Sequence, residues 1–71
     1  MKRYQKMYDH IRAYWELCAK EVFCLTESKV QSFVESHTQS SYKHACKSIS
    51  EGRATEGEII AEFPLDFHYK Y

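Results

Sequence analysis

Cys18, Cys24, His37, His44 and Cys46 are among the side chains of this 71-residue chain whose types could hold a zinc ion or supply a nucleophile. Tetrahedral zinc prefers thiolate and imidazole. A zinc knuckle, however, sets two ligands at Cys-x-x-Cys spacing, and none occurs here. His44-Ala45-Cys46 offers one pair and no second. A cysteine nucleophile needs a histidine base and a groove that encloses its substrate, and a core this small has little room for one. Gly52 and Gly57 are turn residues without a phosphate-cradling pattern around them. The expectation is a non-enzymatic protein with no catalytic residue, no metal and no cofactor.

A second constellation could meet phosphate. Tyr42, Lys43, His44 and Lys47, with Arg53 beyond them, would suit a recognition helix in a major groove, and residues 26–51 would then form a helix-turn-helix. The charge balance speaks against this reading, with ten basic and ten acidic side chains and a formal net charge of +0. Residues 1–47 carry eight basic against five acidic groups, and residues 48–71 carry two against five. A local surplus of three is small for phosphate-driven binding. A DNA-binding transcriptional regulator is therefore the alternative, not the first reading.

Aromatic content points elsewhere. Six Tyr, four Phe and one Trp are more than a core of this size can enclose. Tyr and Trp combine large contact area with a polar handle and dominate protein interfaces. Tyr4, Tyr8, Tyr14 and Trp15 near the start, with Phe67, Tyr69 and Tyr71 at the end, are the candidate protein-interface residues.

These residues must be positioned by elements that the apolar spacing outlines. Tyr4, Tyr8, Ile11, Trp15, Cys18 and Val22 recur in steps of four and three, which predicts one helix over about 2–24. At about 1.5 Å per residue it would be longer than the body of so small a domain, so part of it would overhang or meet a second chain. Thr26 is placed to cap a second helix over about 27–37, with Leu25 stapling onto Val30. The polar run 37–41 breaks the apolar pattern, and a third helix over about 41–51 ends at Gly52. From Ile59 the odd positions are all apolar or aromatic, a period of two that predicts an extended β segment over about 58–71, with Pro64 at an edge or bulge. A competing reading makes Thr55-Glu56-Gly57-Glu58 the capping box of a short helix that ends before Pro64.

The whole is read as a single small α+β domain over 1–71, mainly helical. A lone strand leaves its N–H and C=O groups unpaired, which implies pairing with a second copy or with a target's sheet edge. Three cysteines are an odd number, no signal-peptide pattern opens the sequence, and no apolar run approaches the roughly 18–20 residues that span a bilayer. The expectation is a cytoplasmic protein with reduced thiols and no membrane contact. Its function is read as regulatory or inhibitory, through binding a protein target, with self-association as a homodimer through the C-terminal segment. By size alone it resembles the small stand-alone proteins of mobile elements such as phages.

Overall fold

The computed structural model describes residues 3–65, and within them the chain forms three helices and no strand. Helix α1 spans Gln5–Leu17 and runs on as a π-helical turn, Cys18–Val22. Helix α2 spans Glu27–Ser50 and α3 spans Glu56–Ala61. The first two form an antiparallel hairpin, and α3 folds back over one half of it.

The single first helix expected over 2–24 is shortened and changes pitch. The wider turn brings Phe23 N–H to the carbonyl of Cys18 at 3.0 Å, five residues back. This inserted geometry slips the register by about one residue. Ala19 therefore faces inward, while Val22, which a 3.6-residue repeat aligns with Cys18, is 49 % exposed. Leu25 N–H then bonds the carbonyl of Ala19, six residues back, at 2.9 Å, around Cys24 in the left-handed region at φ 50°. That closure ends the helix where glycine is the usual residue.

The two helices expected over 27–37 and 41–51 are one, so the helix-turn-helix over 26–51 does not form. Residues 27–50 contain neither Gly nor Pro. The Ser and Thr of the polar run cost only a few tenths of a kcal/mol each in a helix, which tertiary packing overrides. The buried stripe Val30, Val34, Thr38 and Ala45 passes straight through the run, with Thr38 holding a core position. Thr26 is the N-cap as expected, although its hydroxyl meets Ser28 Oγ at 3.3 Å and no backbone N–H. Gly52, at φ 73°, ends α2 as expected.

The β segment expected over 58–71 is replaced in its first part by α3, the competing reading. Glu58 N–H donates to Thr55 Oγ1 at 3.2 Å, and Thr55 N–H donates to the Glu58 carboxylate at 2.9 Å. Local capping thus outweighs a period of two that a six-residue helix satisfies by chance. The rest of that segment, with Phe67, Tyr69 and Tyr71, lies outside the described residues.

Two apolar clusters hold the hairpin together. Met7, Ile11, Ala45 and Ile59 form the first, where all three helices meet. Ala19, Val30 and Val34 form the second, flanked by Trp15, Leu25 and Phe33, with no contribution from α3. Leu25 reaches this cluster beside Val30, as its staple role requires. No helix of the described residues is long and apolar enough to cross a membrane.

Thr38 is 0 % exposed and its hydroxyl has no hydrogen-bond partner among the described residues. An unsatisfied buried hydroxyl costs about 1–3 kcal/mol. Thr38→Val is expected to raise stability by about 1 kcal/mol, which for a chain of this size lifts the thermal midpoint by roughly 4–8 °C. Calorimetry or a circular-dichroism melt reads the shift.

Candidate interaction surface

Trp15 occupies the junction of the two clusters and packs against both. Its indole N–H donates to Ser41 Oγ at 3.1 Å, across the hairpin to α2. Its ring stacks at a 32° tilt on His37, 4.6 Å between centroids, and meets Phe33 edge-on at 5.9 Å. Phe33 and His37 are one turn apart on α2 and lie 4.3 Å from each other. Phe23, from the connection after the π turn, reaches Phe33 at 5.3 Å. In the other direction Tyr14 meets Trp15 at 5.3 Å and Phe63 at 5.1 Å, both edge-on.

These contacts form a continuous row, Phe63–Tyr14–Trp15–His37–Phe33–Phe23. Edge-to-face and tilted pairs of this kind are worth about 0.5–1.5 kcal/mol each beyond the area they bury. One end is fastened: His10 Nε2 donates to the carbonyl of Phe63 at 2.6 Å. The other end is open to solvent. Phe23 is 54 % exposed, and Val22 beside it is exposed to nearly the same degree. The difference follows from α3, whose six residues cover the first cluster and stop short of the second.

The structure divides the aromatic residues singled out in the sequence. Tyr14 and Trp15 belong to the row. Tyr4 and Tyr8 do not; they sit at the first turns of α1 beside Tyr42, with Tyr8 edge-on to Tyr42 at 5.2 Å and Tyr4 N–H donating to the Tyr42 phenol oxygen at 3.3 Å. Phe23, Phe33, His37 and Phe63 are the members that sequence reasoning did not assign to a surface. The shared face of Phe33 and His37 was a usable signal. Phe23 was hidden by the change of pitch, and Phe63 by its place in an apparent strand.

The residues of the nucleic-acid reading are not gathered at one helix start. Lys43 and Lys47 are exposed one turn apart toward the C-terminal end of α2, Lys47 in its last turn. His44 turns toward α3, where it lines an open groove of about 280 Å³ with Ala45, Ile59, Glu62 and Phe63. Tyr42 is half-buried, packed against Tyr8 and the first cluster. Arg53 lies beyond α2 and pairs with Glu51. Among the described residues no three His, Cys, Asp or Glu side chains converge on a point that could hold a metal ion. Cys18 is buried, Cys46 half-buried and Cys24 exposed, all as free thiols. Comparisons with protein-family models, curated proteins and solved structures found no match to this chain.

Burial holds the Tyr42 phenol above its ordinary value of 10.0, and the neighbouring Cys46 adds to the shift while the bond from Tyr4 N–H opposes it. A folded-state value above the unfolded one contributes stability that is intact below about pH 10 and is lost as pH rises through the raised value. Tyr42→Phe is therefore expected to flatten the alkaline fall in thermal midpoint. Melts of both chains from neutral to strongly alkaline pH measure the difference.

Proposed function

We propose that this chain is a small regulatory or inhibitory protein that acts by binding another protein through its aromatic row, and not by catalysis. The observation that carries the reading is the open end of the row, where Val22 and Phe23 are both about half exposed beside the half-buried Phe33. A single exposed apolar side chain is ordinary on any surface. Two in succession, continuous with stacked rings that rest on a buried cluster, make a preorganised anchor of the kind that dominates protein interfaces.

The partner expected is an apolar or amphipathic segment, which would occupy over the second cluster the position that α3 occupies over the first. Its gain would come mainly from removing the Phe23, Val22 and Phe33 surfaces from water, at about 25 cal/mol per Å² of apolar area. His37, exposed beside Phe33, is the polar group placed to orient it. The C-terminal aromatics Phe67, Tyr69 and Tyr71 extend the proposal as a second contribution to partner binding. Three free thiols favour a reducing compartment, the cytoplasm, as the place of action.

Replacing Phe23 by a photoreactive benzophenone amino acid, in the cells that make the protein, tests the reading. Illumination is expected to give a discrete covalent adduct to a protein, identified by mass spectrometry. Val22→Asp in the same chain is expected to lower its yield at least ten-fold. No adduct, or an adduct indifferent to Val22→Asp, would overturn the role given to this surface.

A further inference from the structure

We infer that His37 makes the aromatic row sensitive to pH, leaving it open to an apolar partner while the imidazole is neutral and closing it to that partner once the ring is charged. The inference rests on the reading that the row binds protein, and it adds the condition under which the row does so.

Of the histidines described, His10 is fastened to the Phe63 carbonyl and His44 lines the groove beside α3, whereas His37 stands exposed in the middle of the row. Its ring centroid lies 4.6 Å from that of Trp15 and 4.3 Å from that of Phe33, with tilts of 32° and 39°. Among the described residues its nitrogens make no hydrogen bond and no ion pair. Its surroundings hold few titratable groups. On α1 the Tyr14 phenol stands beside Trp15. Toward α3, His44 and Glu62 line the groove beyond Ser41, and in the connection Cys24 follows Phe23. Arg12, Glu16 and Lys20 of α1 line a separate groove with Val30 and Val34. Glu35, two positions before His37 on α2, is about 200° round the helix from it.

Histidine is the side chain that changes charge between about pH 5 and 8. The uncovered row accommodates both forms. The neutral ring stacks as one more aromatic. The charged ring keeps its edge in water while it rests on the π-clouds of Trp15 and Phe33, at centroid distances inside the cation–π limit of about 6 Å. An apolar segment laid over the row removes that water. A neutral imidazole tolerates such a cover, because its one N–H can be met by a backbone carbonyl of the partner. A charged one would be buried with no carboxylate to pair it. Partner and proton therefore compete, and by linkage each lowers the affinity for the other. Where the neutral form alone binds, the apparent affinity scales with the neutral fraction, a fall of about ten-fold from about pH 7.5 to about pH 5.5.

The test begins on the purified chain, in which Trp15 is the sole tryptophan. A protonated imidazole in contact with an indole quenches its emission by accepting an excited-state electron. Trp15 fluorescence is therefore expected to fall reversibly as pH is lowered from about 8 to about 5, while the helical circular-dichroism spectrum holds. His37→Gln is expected to abolish the fall. A flat curve, or one that His37→Gln leaves in place, would overturn the inference. The chain carrying benzophenone at Phe23 then reads the binding step in a lysate of its own cells. The yield of the protein adduct is expected to drop about ten-fold between about pH 7.5 and about pH 5.5, and with His37→Gln to be the same at both. A yield that ignores pH, or drops equally with His37→Gln, sinks this inference and leaves the binding reading intact. No adduct even at neutral pH would remove the binding reading, and this inference with it.

Discussion

The hydrogen bond from the Trp15 indole to Ser41 Oγ joins the two long helices at the level where both apolar clusters end. The indole N–H is part-buried and leaving it without a partner carries a cost, so the bond favours the relative height of α1 and α2 that brings Ser41 opposite Trp15. That one register then places Met7 and Ile11 against Ala45 on one side and Ala19 against Val30 and Val34 on the other. The same register lays His37 on the indole face and brings Phe33 to its edge. The aromatic row is therefore a by-product of how the hairpin closes, and its rigidity derives from the core beneath it.

Elements that announce themselves by local chemistry were legible before folding was considered. The start of α2 at Thr26, its end at Gly52, the capping box of α3 and the amphipathic first helix all follow from residues within one turn of each other. What was illegible depends on distant partners. The polar run 37–41 reads as a break because Thr and Ser are poor core residues, yet Thr38 is enclosed and Ser41 is claimed by a tryptophan 26 positions away. The π turn has no signature of its own in the residues Cys18–Val22, and without it Val22 is assigned to the apolar face of the helix. The surface was half legible for the same reason: Tyr14 and Trp15 were visible as aromatics, whereas the rings that complete their row depend on the pitch change and on α3.

Division of labour between the two halves of the hairpin follows from the length of α3. Six residues cap a cluster at one end, and His10 fastens the carbonyl that follows. The other end relies on helix–helix contact between α1 and α2 and keeps its apolar flank in water. For a chain that buries about 60 % of its unfolded surface, such an exposed flank is a standing cost to stability.

The uninterrupted α2 also sets an order of events during synthesis. Every side chain of the second cluster lies between Trp15 and Val34, and a helical hairpin of that kind forms from contacts close in sequence, which is the fast case in folding. The first cluster needs Ile59, and its clasp joins residues 53 positions apart. As the chain leaves the ribosome, the half that carries Phe23 can thus reach its final form before Ile59 and α3 have emerged. The exposed flank at Val22 and Phe23 would be in place while the other end of the hairpin is still open.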